Sequence, residues 1–261
     1  GGAGIAASKF NELLAHNTEN FKSNTITQDN AGKFQYLKRV ISYGLSKCQF
    51  DSNPIKHSLN IFSFKPVLKA FQNTKGVLHH LHWINNDTLS IFDFDKIPPG
   101  SVISLHDEWL YCGSEHIYNI QDKSNDFVDG YHYFKKGVFG INWNFLIWKI
   151  KYKKLMHRDD LIYTVPSSWM FERVKSSIML NKSDIRLLPN PIDTELFKPA
   201  AVNSISSFRT DLNIDHDSFV IVYNSTTGKK NKLKGIDILN NALKLLQSKS
   251  LNIPLSKIIL I

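Results

Sequence analysis

The stretch Ser101-Val-Ile-Ser-Leu-His-Asp-Glu-Trp-Leu-Tyr-Cys-Gly-Ser-Glu-His116 shows the clearest transition from strand to loop in the chain. Its apolar run, residues 102–105, follows the turn residues 98–100. A short β-branched run after a turn predicts a buried strand of a parallel sheet. The run ends in His106 and Asp107, and ligands bind at the carboxyl ends of strands in open α/β sheets. These side chains are candidates for a functional site; the alternative is a polar loop whose histidine only caps the strand.

Strands and helices alternate on both sides of this stretch. We predict further strands over residues 77–83, 161–165, 185–188 and 219–223, and helices over residues 34–47, 62–70, 143–158, 167–181 and 235–248. Residues 119–140 are expected to form a long loop of the kind that is often functional. Alternation with short connections is typical of an α/β fold with a parallel sheet.

The chain shows signs of two domains. A linker containing Pro199 and the polar residues 203–207 precedes a second α/β unit. We therefore expect one domain over residues 1–199 and the start of another over residues 200–261. The sequence begins with Gly1 instead of Met and stops inside a strand-like run. We expect the full protein to be longer at both ends, with the first strand of the first domain missing.

Composition limits the class of partner. The 261 residues are 42% hydrophobic, enough for a substantial core. A net charge of +9 favours an anionic partner, such as nucleic acid, lipid headgroups or a phosphorylated substrate. The two cysteines, Cys48 and Cys112, fit a reducing compartment. No apolar run reaches the ~18 residues that a membrane-spanning helix needs.

Several histidines raise the question of a metal site. His80 and His82 project from the same face of an extended chain, and His106 and His116 follow within the next strand and loop. Imidazoles are common zinc ligands. However, no Glu-x-x-His or His-x-x-x-His helix accompanies them. We therefore expect no metal.

Two segments have the form of a phosphate-binding helix start. Gly1 and Gly2 lead into an apolar helix pattern, and a loop containing Lys229, Lys230 and Lys234 precedes the helix predicted from residue 235. Backbone N–H groups and the helix dipole favour an anion at such positions. For the first segment, a close-packing turn is an equal alternative.

Three further segments resemble one enzyme family. Residues 165–169 read Val-Pro-Ser-Ser-Trp, residues 187–199 read Leu-Leu-Pro-Asn-Pro-Ile-Asp-Thr-Glu-Leu-Phe-Lys-Pro, and Lys234-Gly235 opens a helix. Together they resemble the retaining GT-B glycosyltransferases of family 4. The Leu-His-Asp-x-Trp element at residues 105–109, with Gly113 and His116, resembles the bacterial subgroup that builds colanic-acid-like exopolysaccharide and O-antigen.

The resemblance implies two Rossmann-like domains, the first binding the acceptor and the second most of the nucleotide sugar. The reaction would transfer a sugar from a nucleotide-sugar donor to a glycan or lipid-linked acceptor in cell-surface polysaccharide biosynthesis. The resemblance implies no metal cofactor, since cations such as Lys234 would meet the donor diphosphate, and no nucleic-acid partner. It makes His106 and Lys234 the expected catalytic residues. The expected substrate-binding residues are Gly1, Gly2, His82, Asp107, Trp109, Gly113, His116, Asn190, Lys229 and Lys230.

The sequence departs from the family pattern at several places. Gly228 stands where the family often has an arginine, and Lys229 or Lys230 could substitute for it. The subgroup's Gly-Gly-Cys-His reads Gly-Ser-Glu-His at residues 113–116. The family's Glu-x7-Glu motif would lie beyond Ile261. Because most of the donor-binding domain would then be absent, we expect residues 1–261 alone to be inactive.

We expect a cytoplasmic protein that visits the inner face of the cytoplasmic membrane, where lipid-linked acceptors are found. Residues 143–158 predict an amphipathic helix for this contact. Its apolar side would comprise Trp143, Phe145, Ile147, Trp148 and Tyr152, and its cationic side Lys149, Lys151, Lys153, Lys154 and Arg158. The alternative is an ordinary helix that packs on the sheet and has a solvated basic side.

Two other functions stay open from the sequence. An NAD(P)-dependent oxidoreductase would need Gly-x-Gly-x-x-Gly followed by an acidic residue ~20 positions later. Glu19 and Asp29 are available, but the glycine spacing at residues 1–4 does not fit. A non-catalytic basic protein that binds anions is favoured only by the charge, without a recognisable motif.

Overall fold

A computed structural model describes residues 2–19, 22–29, 31–51, 57–118, 125–224, 234–248 and 258–260. The chain forms two compact units, residues 1–192 and 193–261. The division lies close to the domain boundary expected at residue 199. Each unit is α/β.

The first unit contains a four-stranded parallel sheet and a separate two-stranded antiparallel ribbon. The ribbon pairs β1 (Gln49–Phe50) with β4 (Phe139–Gly140). The parallel sheet has the order β2-β3-β5-β6, with the bounds β2 His80–His82, β3 Val102–Ser104, β5 Ile162–Val165 and β6 Asp184–Leu187. The predicted α/β class and parallel sheet are therefore confirmed.

Both units also contain helices. In the first unit they are α1 (Gly2–Asn17), α2 (Lys33–Ser46), α3 (Lys65–Ala70), a 3₁₀ helix (Ile91–Lys96), α4 (Asp126–Asp129), α5 (Trp143–Leu155) and α6 (Ser168–Ser176). The second unit contains α7 (Val202–Asp211) and α8 (Ile236–Ser248), and its strands β7 (Phe219–Ile221) and β8 (Ile258–Leu260) are parallel.

Some predicted boundaries are wrong. The strand expected over residues 77–83 is limited to β2, and α6 ends at Ser176 where a helix to residue 181 was expected. The described part of the expected loop at 119–140 contains α4 and β4. The β4 strand exists because it pairs with β1, far away in sequence, and such pairing leaves no local signal.

The two faces of the parallel sheet differ in polarity. Successive strand residues point to opposite faces. Ile103, Tyr163 and Ile185 lie side by side in the register and are buried in the core. On the opposite face, the Ser104 hydroxyl contacts both His80 Nε2 at 2.8 Å and Thr164 Oγ1 at 2.7 Å. A polar face on a parallel sheet is unusual, because such sheets are normally apolar on both sides.

The helix α1 covers part of this polar face. The Phe10 ring lies 5.8 Å from the rings of both His80 and His82, measured between centroids. Phe10 and Ala6 are the buried side chains of this helix. The prediction that His80 and His82 share a face is confirmed, since their own ring centroids are 4.0 Å apart.

The helix α5 packs into the core, and this corrects its expected use as a membrane-binding surface. Ile147, Trp148 and Leu155 are buried, so its central apolar residues are not available to lipid. The expectation that Lys151 belongs to a cationic face is wrong, because its side chain is 0% exposed. The lysines that do lie at the surface, Lys149 and Lys153, form a solvated side. Among the described residues, no helix is both long and apolar enough to cross a membrane.

Lys151 has a structural reason to be buried. Its Nζ donates hydrogen bonds to the backbone carbonyls of Trp109 and Gly113, the latter at 2.7 Å. It also lies 3.9 Å from the centre of the Trp109 ring, within range of a cation–π interaction. Burial lowers the pKa of Lys151 to about 7. The lysine therefore satisfies two carbonyl groups that have little access to water.

We expect Lys151→Ala to lower the free energy of unfolding by about 2–5 kcal/mol, because it leaves two buried carbonyls without a donor and opens a cavity. Lys153→Ala is the matched control: the helix and the substitution are the same, but the side chain is exposed. Its effect should stay within about 0.5 kcal/mol. Urea denaturation measures both, and equal effects would contradict the structural role of Lys151.

Candidate functional site

The candidate site lies where β2 and β3 end side by side. These strands are parallel neighbours, with His82 paired to Ser104 in the register. Their carboxyl ends therefore deliver the following residues to one place. A shallow cleft there is lined by Trp83 and Asn85 after β2, and by His106 and Asp107 after β3.

His82 and His106 are directly joined. His82 Nδ1 and His106 Nε2 are 2.9 Å apart, within hydrogen-bond distance, and the two rings are stacked at a centroid distance of 5.2 Å. Burial, followed by the positive charges that His80 and His106 would carry, lowers the pKa of His82 to about 3. Burial also lowers the pKa of His106, against the opposing effect of Asp107. Both rings are therefore neutral at pH 7, so one donates and the other accepts the shared hydrogen bond.

Asp107 is the centre of a second hydrogen-bond chain. Its Oδ2 accepts hydrogen bonds from Trp83 Nε1 at 2.8 Å and from His116 Nδ1 at 2.6 Å. His116 Nε2 contacts the hydroxyl of Ser58 at 2.7 Å. With a proton on Nδ1, a neutral His116 accepts the Ser58 proton at Nε2. The chain Ser58–His116–Asp107 therefore fixes the orientation of the carboxylate beside His106.

This chain has the same order of hydroxyl, imidazole and carboxylate as a Ser-His-Asp triad. Its hydroxyl is poorly accessible, because Ser58 is only 7% exposed. Ser58 does line a second shallow cleft together with Arg39, Tyr43 and His57. The geometry can thus either position Asp107 or activate Ser58.

Trp109 and Gly113, expected to bind substrate, have packing roles. Trp109 is 1% exposed, and its Nε1 donates to the backbone oxygen of Ser58 at 2.8 Å. A Cβ on Gly113 would lie 2.7 Å from Asn144 Cα, closer than atoms can pack. Both residues hold the loop that carries His106 and Asp107, although the buried Trp109 also forms part of the wall of the cleft.

Of the other expected site residues, the structure describes Asn190, Lys234 and Gly2. Asn190 is exposed after β6, at the opposite edge of the sheet from β2, so it is not brought together with His106. Lys234 is exposed just before α8, in the second unit. Gly2 is the first residue of α1 and has no neighbour within 4 Å of an added Cβ. Gly1, Lys229 and Lys230 lie outside the described residues.

Three residues that matter at this site were missed from the sequence. Ser58 and Trp83 contact the His116–Asp107 pair from separate segments. Arg173 on α6 bonds Glu108 through its Nε at 2.5 Å and lies against the rings of Phe127 and Trp169. This contact spans 65 positions. No local spacing could have indicated it.

The histidines form no metal site within the part of the chain that the structure describes. No three His, Cys, Asp or Glu side chains there are placed to hold one ion. The facing nitrogens of His82 and His106 bind each other, and both nitrogens of His116 have partners. The arrangement is therefore a hydrogen-bonding site that can donate to or accept from hydroxyl groups.

Comparison with known proteins adds nothing further, since no family model, no curated protein and no solved structure matches this chain. The function must therefore be argued from the site itself.

We expect the histidine cluster to make stability depend on pH. An unfolded histidine binds its proton near pH 6.5, whereas the folded chain lowers the pKa of His80, His82 and His106. Below pH 6.5 the unfolded state binds more protons, so the free energy of unfolding falls as the pH falls. His82→Gln should reduce this loss between about pH 7 and pH 5.

Urea denaturation across that pH range measures the effect, and His16→Gln is the control, because His16 is exposed in the last turn of α1. If the wild type and His82→Gln lost stability in parallel, the cluster would not be the source.

Proposed function

We propose that this chain belongs to a retaining glycosyltransferase that moves a sugar from a nucleotide-sugar donor to a glycan or lipid-linked acceptor in cell-surface polysaccharide biosynthesis. The two units would be Rossmann-like, as in the GT-B enzymes that the sequence resembles. The observation that carries the proposal is the position of His106. It follows β3 at the carboxyl edge of a parallel sheet and lies beside an oriented carboxylate.

The surroundings of His106 suit recognition of a sugar hydroxyl. Its Nε2 is bound to His82, which fixes the plane of the ring. No hydrogen bond to Nδ1 occurs among the described residues, so this nitrogen can meet a substrate. A neutral imidazole donates or accepts a hydrogen bond according to its tautomer. His106 would thereby orient the donor sugar or polarise the acceptor hydroxyl.

Lys234 would act on the leaving group. As the glycosidic bond to the diphosphate breaks, negative charge grows on the phosphate oxygens, and fixed cations stabilise the transition state at that point. Lys234 lies just before α8, and the N-terminus of a helix favours an anion. This mechanism needs no metal ion.

The direct test is a screen of nucleotide sugars with the protein from its full reading frame, with nucleotide release as the signal. Release that depends on both a donor and an acceptor supports the proposal. Release without any acceptor dependence would indicate simple hydrolysis. Failure of every donor, together with absence of paired glutamates in the reading frame beyond Ile261, would overturn it.

In that protein, we expect His106→Ala to lower kcat about 10²–10⁴-fold if the imidazole acts in the transition state. His132→Ala removes an exposed histidine of the same unit and is the control. Circular dichroism establishes that each variant is folded. A folded His106→Ala variant with unchanged turnover would remove His106 from the site.

Lys234→Ala should also lower kcat, because the charge that it meets develops as the diphosphate leaves. Lys244→Ala, an exposed lysine further along the same helix, is the matched control. We expect chelators to leave the activity unchanged in both proteins. A strict requirement for a divalent ion would contradict the metal-free mechanism.

A second candidate function follows from one observation, the Ser58–His116–Asp107 chain. With His116 taking its proton, the Ser58 oxygen would attack the carbonyl carbon of an ester and release the alcohol, which receives the proton from His116; water would then hydrolyse the acyl-enzyme, so the protein would be a hydrolase. A fluorophosphonate probe distinguishes the two functions. Labelling that is lost in both Ser58→Ala and His116→Gln would favour the hydrolase. If the protein is not labelled at all, the Ser58–His116 hydrogen bonds serve only to position Asp107.

A further inference from the structure

The helix α2 is amphipathic, but its polar side faces the protein and its apolar side faces outward. Its buried residues are the polar side chains Gln35, Ser42 and Ser46. Its large apolar residues are exposed: Phe34, Tyr36, Leu37, Val40, Ile41, Tyr43 and Leu45. Ordinary surface helices turn the apolar stripe towards the core. The apolar side of α2 therefore has no partner among the described residues of this unit.

Specific polar contacts hold the helix in this orientation. Gln35 Nε2 donates to the backbone oxygen of Asp87 at 2.8 Å, and Ser42 and Asp87 line the same shallow cleft. Lys38 Nζ donates to the backbone oxygen of Ser63 at 3.1 Å. Since buried polar groups are costly unless paired, these contacts stabilise the observed face and oppose rotation about the helix axis.

The exposed apolar surface continues into the β1–β4 ribbon. Phe50 and Phe139 are direct cross-strand partners, so they lie on the same face of the ribbon, and both are exposed. The ribbon adjoins the end of α2, because β1 begins three residues after Ser46 and the backbone N–H of Cys48, between them, donates to the backbone oxygen of Leu45 at 3.0 Å. Exposed apolar patches of this kind mark interaction surfaces.

The charges around α2 indicate which partner fits. Residues 31–51 contain Lys33, Lys38, Arg39 and Lys47, against a single acidic residue, Asp51. Lys47 Nζ lies 4.7 Å from the centre of the Tyr43 ring, and Lys38 Nζ lies 5.1 Å from that of Phe34. Cations therefore border the exposed aromatic rings. Apolar and aromatic side chains flanked by lysines are typical of helices that lie in the headgroup region of a membrane.

We propose that α2 and the β1–β4 ribbon form a docking face for an anionic lipid surface. The apolar side chains would enter the boundary between headgroups and acyl chains, and Lys33 and Lys47 would contact lipid phosphates. This inference rests on the exposure and charge of α2, and not on the proposed sugar transfer. It also assigns membrane contact to a different helix from α5, whose central apolar residues are buried.

Vesicle co-sedimentation tests the proposal with the full protein. Vesicles of equal parts phosphatidylglycerol and phosphatidylcholine should bind it, and vesicles of phosphatidylcholine alone should bind it much less. Binding to the anionic vesicles should weaken as salt is added, because the lysine contacts are screened. Equal binding to both compositions would overturn the charge complementarity on which the proposal rests.

A matched pair of charge variants locates the face. Lys33→Glu with Lys47→Glu should weaken binding by at least about tenfold, since each basic residue near anionic lipid contributes measurably. Lys149→Glu with Lys153→Glu makes the same change of net charge on exposed positions of α5. It should have clearly less effect. Equal losses would show attraction to the overall charge of the protein and would overturn the proposal.

A third variant tests the apolar contribution. Leu37→Glu with Ile41→Glu changes two exposed side chains, so the fold should survive, as circular dichroism can verify. Vesicle binding should be lost. The alternative occupant of the face is a second copy of this chain, which light scattering in solution would detect as a dimer. If the variant dissociated such a dimer and left vesicle binding unchanged, the face would be a dimer interface and the lipid proposal would be overturned.

Discussion

The rest of the first unit depends on one constraint: the irregular segment after β3 is buried, so its polar groups need partners from elsewhere in the chain. Residues 108–116 are all buried although they form no regular helix or strand. Buried backbone groups outside regular structure are costly unless paired. Lys151 satisfies two carbonyls of this segment, Arg173 pairs with Glu108, and Tyr131 bonds Glu115. These partners come from α5, from α6 and from the residues after α4.

His106 and Asp107 are the exceptions in this segment, because they are only partly buried. The packing behind them therefore presents two adjacent polar side chains to the cleft in fixed orientations. Pre-organisation of this kind is what a binding or catalytic site requires. It also gives residues near the site, such as Trp109 and Gly113, a role in supporting the loop.

The sequence predicted the parts of this arrangement that local patterns encode. The apolar run before His106 identified the strand and its end, and the alternation at residues 80–82 placed two histidines on one face. It could not identify Ser58 or Arg173 as partners, because both contacts depend on how distant segments meet. The sequence-based prediction for Lys151 was wrong because a lysine among aromatic residues can lie on either a solvent-exposed or a buried face of a helix. The reversed face of α2 was missed for a related reason: periodicity shows an apolar stripe but not the direction in which it points.

The bond between His82 and His106 places one proton between two neutral rings. The outer nitrogens, which take no part in this bond, are His106 Nδ1 and His82 Nε2. In one arrangement His106 Nδ1 carries a hydrogen and His82 Nε2 does not. In the other arrangement these two states are exchanged. A proton received at one outer nitrogen can therefore leave from the other, while the inner proton shifts across the shared bond. The pair can therefore relay a proton from one outer nitrogen to the other, and both rings are neutral before and after the transfer.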